Sequence, residues 1–204
     1  MTMVKVCGIT NVADARVAAE AGADAVGFIF AESRRQVDAE AVRRISIALP
    51  DNVLKVGVFV NRPAEEVLRV AAEAGLDVAQ LHGDEDPETV AAVRAGGLAV
   101  MKAIRVRNRE VLADVEKFDA DLILLDAYSE KGRGGTGQRF DWEVAKSLKG
   151  RGNIVVSGGL APENVREAVD FFEPYGVDAS SSLEDAPGKK NEESVRRFIV
   201  AAKG

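Results

Sequence analysis

The stretch Met3-Val4-Lys5-Val6-Cys7-Gly8-Ile9-Thr10 opens the chain and sets the pattern that the rest of it repeats. Its β-branched and apolar residues predict a strand that stops at Gly8. The segment Asn11–Ala21 follows, begins with a capping residue, is rich in helix formers and ends before Gly22. A strand followed by a helix is therefore the first unit of the chain.

The same unit recurs along the whole sequence. The strand segments are Met3–Cys7, Ala25–Phe30, Lys55–Val60, Asp77–Gly83, Ala99–Ile104, Leu122–Asp126, Asn153–Gly159 and Val177–Ser182. After the first unit, helices are predicted at Asp38–Ala48, from Pro63, from Asp86-Pro87, at Asn108–Phe118, from Asp141, from Pro162 and at Asn191–Ala202. Eight units give roughly 25 residues each, close to the minimum for a strand, two turns and a covering helix.

This count predicts a single-domain α/β fold, a (β/α)8 TIM barrel of eight parallel strands that spans residues 1–204. The competing architecture is an open doubly wound sheet, which usually has fewer strands and carries a glycine fingerprint after its first strand. Gly8-Ile9-Thr10 is no such fingerprint, and no proline-rich or serine-rich linker divides the chain.

Composition narrows the class of function. Apolar residues make up 47% of the chain, which is enough for a continuous core, and no apolar stretch approaches the length of a membrane span. The net charge of −6 has the wrong sign for a general nucleic-acid or anionic-membrane surface. We expect a cytoplasmic protein that binds neither, with no metal, because one cysteine and one histidine are too few for a zinc cluster.

Several residues with reactive side chains lie at the carboxyl ends of the predicted strands. In a barrel these ends ring one mouth, where active sites form. The single cysteine, Cys7, and the single histidine, His82, both fall there. A lone cysteine is more often a buried, inert side chain, and His82 could satisfy backbone carbonyls or pack against Gln80. Their shared position favours a functional role for Cys7.

Asp126 directly follows the apolar run Leu122–Leu125 at the end of the sixth strand. A carboxyl group at this position could cap the following loop. Burial at the barrel mouth would instead allow it to donate a proton, which is the role we favour.

The last two strands end in small and hydroxylated residues. Ser157-Gly158-Gly159 precedes a predicted helix, and Ser180-Ser181-Ser182 follows the eighth strand. Glycines allow the backbone to approach an anion, and loops after strands seven and eight are the usual phosphate site of barrels. The sequence therefore predicts phosphate binding by Gly158, Gly159, Ser180, Ser181 and Ser182, although each stretch could be an ordinary turn.

Two further loops could cover the mouth. The glycine-rich insert Lys131–Gln138 lacks the Gly-Lys-Ser/Thr ending of a nucleotide loop, and we interpret it as a lid over Asp126. In the loop after the second strand, Arg34 or Arg35 could clamp a substrate carboxylate, although paired arginines are usually solvated.

The sequence resembles the phosphoribosylanthranilate isomerases, barrel enzymes of tryptophan biosynthesis, from the first strand to the last helix. The resemblance rests on Lys5–Thr10, Gly22–Phe28, Val56–Asn61, Gln80–Gly83, Leu124–Asp126, Gly134–Gly137 with Phe140–Trp142, and Ser157–Leu160 with Pro162–Val165, in the family's order. Together these motifs are specific, although no single one would suffice.

The resemblance implies an Amadori rearrangement of N-(5-phosphoribosyl)anthranilate to 1-(2-carboxyphenylamino)-1-deoxyribulose 5-phosphate. Cys7 matches the general base and Asp126 the general acid. Arg35 matches the residue that holds the anthranilate carboxylate, and we assign Gln80, His82 and Asp178 to substrate binding. The reaction needs no metal or organic cofactor, because the protonated imine serves as the electron sink. We expect a monomer or a homodimer.

The chain departs from the family at two places. Ser182 replaces a glycine, and serine would strain the backbone if that glycine needs a positive φ, or crowd the phosphate if the glycine lets it approach closely. We expect weakened phosphate affinity at most, with the Ser182 hydroxyl available as an extra donor. A proline or lysine often precedes the family arginine, so the choice of Arg35 over Arg34 is less secure. The alternatives to this activity are another phosphosugar barrel such as an epimerase, and a binding barrel that holds phosphate without turnover.

Overall fold

The computed structural model describes residues 1–108, 113, 115–127 and 141–204. Eight parallel strands close into a barrel in chain order, with the eighth paired to the first. They are β1 (Met3–Cys7), β2 (Ala25–Ile29), β3 (Leu54–Phe59), β4 (Val78–Leu81), β5 (Ala99–Val106), β6 (Leu122–Ala127), β7 (Ile154–Val156) and β8 (Gly176–Ala179). The predicted (β/α)8 barrel is confirmed.

Helices connect the strands and cover the outside of the barrel. They are α1 (Val12–Glu20), α2 (Ala39–Ser46), α3 (Ala64–Ala74), α4 (Pro87–Ala95), α5 (Val165–Phe172) and α6 (Glu192–Lys203). Capping side chains fix several starts: Asn11 accepts from the Asp14 backbone N–H, and Asn191 accepts from that of Ser194. These starts agree with the predicted units to within a few residues.

The helix predicted from Asp141 is a 3₁₀ helix, Trp142–Leu148, and not an α-helix. Asp141 caps it by accepting from the Glu143 N–H, and Trp142 packs edge-on against Phe172. Five of the eleven residues of the helix predicted at Asn108–Phe118 lie outside the described part of the chain. The glycine-rich insert Lys131–Gln138 and the motif Gly134–Gly137 with Phe140 also lie outside it.

Side-chain alternation along the strands separates two apolar layers. Ala25, Val56, Met101, Leu124 and Val155 belong to a cluster inside the barrel. Alternate strand residues belong to a larger cluster between the strands and the helices, where they are buried together with the helix faces. Because strand residues point alternately to the two sides, one register fixes which side chains reach the barrel axis.

Two features bring residues distant in sequence to the same side of the mouth. Strand β8 pairs with β1 in the register Lys5↔Asp178 and Val6↔Ala179, which closes the barrel. After β8, a short 3₁₀ helix (Ser181–Leu183) leads into an antiparallel hairpin of β9 (Glu184–Ala186) and β10 (Lys189–Lys190). The sequence did not predict this hairpin, because it is short and polar.

Candidate active site

All eleven site residues assigned from the sequence line one cavity of about 900 Å³ at the carboxyl ends of the strands. A cavity of this volume is large enough for a drug-sized ligand. The barrel therefore collects, at one mouth, side chains that the sequence separates by more than 170 positions. The position of each group decides what chemistry the cavity can support.

Cys7 is the last residue of β1 and lies in register with Gly27 of β2. Its neighbours Val4 and Val6 belong to the outer apolar cluster, so the alternation directs Cys7 towards the barrel axis. The residue is only 6% exposed, and what remains exposed faces the cavity. Burial raises the pKa of the thiol, opposed by the positive charge of Lys5. The thiol is both buried, as a structural cysteine would be, and open to the cavity.

Asp126 lies on β6, on the far side of the cavity from β1 in the strand order. Its Oδ2 lies 3.0 Å from Nε2 of His82, and its Oδ1 accepts from the Ala127 backbone N–H. The Gln80 amide nitrogen lies 2.7 Å from His82 Nδ1. With the amide in this orientation its nitrogen donates to Nδ1, and the Nε2–H of His82 then donates a hydrogen bond to Asp126 Oδ2. Gln80 and His82 thus fix the orientation of the Asp126 carboxyl group.

Arg35 lines the cavity, whereas the neighbouring Arg34 is exposed and does not. The guanidinium is held from behind by Glu184, which accepts from Nε at 2.9 Å and from Nη2 at 2.7 Å. Lys190 donates to the same carboxylate at 2.8 Å. Among the described residues no partner contacts Nη1, so this end of Arg35 is available for a ligand. This geometry favours Arg35 over Arg34 as the carboxylate clamp.

The loop after β7 has the backbone form that anion binding needs. Gly158 and Gly159 both have positive φ, 81° and 68°. A Cβ on Gly158 would lie 2.4 Å from the backbone nitrogen of Ala127, so only glycine fits beside β6. The Gly159 carbonyl is held by the Asn164 side chain at 3.0 Å, which turns the loop towards α5. These two residues form one wall of the predicted phosphate site.

The second wall is the 3₁₀ turn after β8. The backbone N–H groups of Ser181 and Ser182 bond to no described carbonyl, and the Ser180 hydroxyl is buried without a hydrogen-bond partner in the described structure. Donors that lack an internal partner at a cavity wall are suited to a bound anion. The Ser180 backbone carbonyl, in contrast, accepts from Lys190 at 3.2 Å.

The expectation of strain at Ser182 is wrong. Ser182 is not among the described residues with positive φ, so a side chain is tolerated at this position. Its hydroxyl donates to the Leu160 carbonyl and not into the cavity. The serine therefore connects the loop after β8 to the loop after β7, the two walls of the phosphate site.

Asp178 lines the cavity, but both of its oxygens already have protein partners. Oδ1 lies 2.8 Å from the ammonium of Lys5, and Oδ2 accepts from the Ser157 hydroxyl at 3.1 Å. The carboxylate is 5% exposed. It is placed beside the thiol of Cys7 by the register of β8 with β1.

The sequence reasoning missed Glu184, Lys190 and Ser157 as members of the site. Glu184 is 149 residues from its partner Arg35, so no local pattern could have paired them. Ser157 was recognised only as part of a loop motif. The position of Lys5 beside Cys7 could have been predicted, because Lys5 lies two residues before Cys7 and shares its face of the strand.

In the described ranges, no group of three or more His, Cys, Asp or Glu side chains is arranged to hold a metal ion. None of the helices in the part of the chain that the structure describes is both long and apolar enough to cross a membrane.

A family model described as N-(5′-phosphoribosyl)anthranilate (PRA) isomerase matches residues 4–201. The chain belongs to the phosphoribosylanthranilate isomerase family. A family member from Rubrobacter xylanophilus, N-(5′-phosphoribosyl)anthranilate isomerase, is 65% identical over the full length of both chains.

Solved structures of the phosphoribosylanthranilate isomerase family agree with the barrel described above. The family member from Thermotoga maritima is 43% identical, covers 100% of both chains and has a TM-score of 0.91. A phosphoribosylanthranilate isomerase in complex with reduced 1-(o-carboxyphenylamino)-1-deoxyribulose 5-phosphate is 42% identical over 100% of both chains, with a TM-score of 0.88. Membership of the family therefore rests on sequence and fold together.

Proposed function

We infer that this chain catalyses the Amadori rearrangement of N-(5-phosphoribosyl)anthranilate to 1-(2-carboxyphenylamino)-1-deoxyribulose 5-phosphate, a step of tryptophan biosynthesis. The observation that supports this inference is the cavity itself, which is lined by a carboxyl group, a thiol, an arginine and the two loops that we assign to phosphate binding. Family membership supplies the substrate, and the cavity supplies a place for each of its charged groups.

We propose the following roles for the residues of the cavity. Gly158, Gly159, Ser180, Ser181 and Ser182 bind the phosphate of the substrate through backbone N–H groups, and the Ser180 hydroxyl, which has no described partner, adds a further donor. Because β8 pairs with β1, a phosphate at this cup places the sugar carbons near Cys7. Arg35 receives the anthranilate carboxylate at its Nη1 end, while Glu184 holds the other edge of the guanidinium.

Proton transfer then divides between the two sides of the cavity. Asp126, acting in its protonated form, gives its proton to the furanose ring oxygen, and the ring opens to a protonated imine. Cys7 as the thiolate removes the proton from the second sugar carbon, and the electron pair moves towards the imine nitrogen to give an enolamine. In the tautomerisation to the ketone, the first sugar carbon takes up a proton and the hydroxyl on the second carbon gives one up, so substrate and product have the same atoms. Proton exchange with solvent then returns Cys7 to the thiolate and Asp126 to its protonated form. His82 and Gln80 keep Asp126 aimed at the ring oxygen.

The remaining properties are part of the same proposal. The whole chain, residues 1–204, acts as one barrel domain in the cytoplasm, as a monomer or homodimer, without a cofactor or a nucleic-acid partner. The net charge of −6 supports the absence of a nucleic-acid partner, because a chain with this charge has no general basic surface. The phosphate of the substrate is then held by a local site.

A fluorescence assay that follows the loss of phosphoribosylanthranilate tests this function directly. We expect the purified protein to convert the substrate, and glycerol phosphate to compete weakly at the phosphate cup. Absence of turnover by folded protein would refute the isomerase and leave the binding barrel as the remaining candidate. An epimerase that needs a metal ion is disfavoured because no group of three or more His, Cys, Asp or Glu side chains among the described residues is arranged to hold one.

A further inference from the structure

One buried charge beside the site has no part in the mechanism above. Lys5 is 0% exposed, which makes it one of the largest fully buried side chains of the described chain. It is in register with Ala25, a member of the apolar cluster inside the barrel. An ammonium in this layer is costly unless it is paired, and apolar replacements of buried ion pairs are often at least as stable. Stability alone therefore does not explain this lysine.

The partners of Lys5 hold its ammonium in one place. Asp178 lies 2.8 Å away, and Asp178 is fixed in turn by the Ser157 hydroxyl at 3.1 Å. The three residues come from β1, from β8 and from the loop after β7, so the closed barrel determines their arrangement. Burial lowers the pKa of Lys5, but Asp178 and Cys7 outweigh it, so the pKa lies above its ordinary value and the lysine keeps its proton.

A glycine leaves room for this ammonium next to the thiol. Gly27 is in register with Cys7, and a Cβ there would lie 2.6 Å from Cys7 Sγ and 3.1 Å from Lys5 Nζ. The sulfur and the ammonium nitrogen therefore both border the space where that methyl group would be. Any larger residue at this position would have to separate them.

The charges that face the thiol come from four elements. Lys5 on β1 and Lys190 on β10 favour the thiolate, whereas Asp178 on β8 disfavours it. Arg35, in the loop after β2, also interacts with the thiolate. Burial raises the pKa of Cys7, and Lys5 opposes it more strongly than Lys190 does. The influence of Lys5 also exceeds that of Asp178, which acts in the same direction as burial. Asp126 and His82 lie across the cavity, and Glu184 neutralises part of the charge of Arg35 and Lys190.

We propose that Lys5 is a positioning residue whose ammonium, fixed by Asp178 and Ser157, lies against Cys7 and stabilises the thiolate that removes the substrate proton. The proposal rests on the function proposed above for its catalytic consequence, but not for its effect on the thiol. In the step itself the proton moves from the second sugar carbon to sulfur. Lys5 keeps its own proton throughout and acts only through its charge.

The test measures the ionisation of Cys7 without turnover. Because Cys7 is the only cysteine, the rate of alkylation by iodoacetamide as a function of pH reports its thiolate alone. In Lys5→Met the apparent pKa should rise, so that the thiolate fraction at pH 7 falls about tenfold or more, which corresponds to one pH unit. An unchanged alkylation profile in Lys5→Met would overturn the proposal.

Lys102→Met is the matched control, because Lys102 is also buried, 3% exposed, and paired with Glu85 at 2.8 Å. Its ammonium bonds the carbonyls of Leu81 and Gly83, away from Cys7. This variant removes a comparable buried charge and should leave the alkylation profile of Cys7 where it is in the parent. An equal shift in both variants would show a general effect of destabilisation and contradict the role of Lys5.

A second variant keeps the test decisive if Lys5→Met does not fold because it leaves Asp178 unpaired. The double change Lys5→Met with Asp178→Asn removes both charges and should be tolerated better. Because Lys5 outweighs Asp178 at the thiol, the apparent pKa should still rise, by less than in the single variant. No rise in the folded double variant would refute the proposal.

Turnover provides an independent readout. The ascending limb of kcat against pH should move to higher pH in Lys5→Met, so that activity recovers when the thiol is ionised by base. A loss that is equal at every pH would mean structural damage and would contradict the proposed role. If the parent shows the alkylation behaviour but no turnover, the proposed function fails while the arrangement of Lys5 and Cys7 stands.

Discussion

Glycine is the residue usual in the family at position 182. Replacing Ser182 by glycine should lower the thermal stability of the protein and weaken phosphate binding. The Ser182 hydroxyl donates to the Leu160 carbonyl and so connects the loops after β8 and β7. The backbone at Ser182 does not have positive φ, so glycine offers no relief of strain. Glycine should therefore weaken phosphate binding, whereas the family resemblance alone predicts that glycine would strengthen it.

The magnitude follows from two contributions. Losing a neutral hydrogen bond costs about 0.5–1.5 kcal/mol, and the extra freedom of glycine in the unfolded chain costs about 0.4–1 kcal/mol. The total of about 1–2.5 kcal/mol corresponds to a fall in Tm of roughly 2–10 °C for a chain of this size. We also expect KM for the phosphorylated substrate to rise several-fold, because the two walls of the cup are no longer connected.

Thermal unfolding and steady-state kinetics of Ser182→Gly and Ser182→Ala check this prediction. The alanine variant loses the hydroxyl but not the backbone restriction, so it should lie between the parent and the glycine variant in Tm. A glycine variant that is as stable as the parent, with an equal or lower KM, would refute the reasoning.

Three other changes probe the rest of the site. Gly158→Ala, at φ 81° and with its new methyl 2.4 Å from the Ala127 nitrogen, should lower the free energy of unfolding by about 2–5 kcal/mol, measured by urea denaturation. Arg35→Lys should raise KM about tenfold or more, because one point charge replaces a fork, while kcat changes less; an unchanged KM would remove Arg35 from substrate binding. Arg35 and Lys190 outweigh burial and hold the pKa of Glu184 below its ordinary value, so this group stabilises the fold above about pH 4.3 and less as the pH falls below it. Glu184→Gln should flatten that acid loss in a series of urea denaturations, and an equally steep loss would contradict it.

The sequence was sufficient to place site residues where a local pattern determines their position. The carboxyl ends of the apolar runs in β1 and β6 predict that Cys7 and Asp126 reach the mouth, and both residues line the cavity. Both predictions need only the strand period and the count of eight units. These two residues could therefore be placed at the mouth from the sequence pattern, whereas the roles of Arg35, Gln80, His82 and Asp178 came from the resemblance to the family.

The sequence was insufficient where partners meet only after the barrel closes. Glu184 reaches Arg35 across 149 residues, through a two-stranded hairpin too short to show a hydrophobic pattern. Lys5 shares a face with Cys7 by simple alternation, but its ion pair with Asp178 depends on the β1–β8 register. The direction of the Ser182 hydroxyl also required the positions of two separate loops.

The helix predicted from Asp141 shows a different limit of sequence-based prediction, which concerns the type of helix. Trp142 and Leu148 are buried, as an amphipathic helix would require, yet the segment forms a 3₁₀ helix of seven residues. Trp142 packs against Phe171 and Phe172, and tertiary contacts of this kind compete with helix propensity over such a short length. Local propensity is a weak guide when tertiary contacts compete with it.

The most direct test of the account compares kcat/KM of the parent, Cys7→Ala and Asp126→Asn for phosphoribosylanthranilate in one assay. General acids and bases typically contribute about 10²–10⁴-fold, so each variant should lose at least 10²-fold while it stays folded and still binds the reduced product analogue. A parent that turns over the substrate beside a variant with full activity would contradict the assignment of that residue, and with it the proposed division of proton transfer across the cavity.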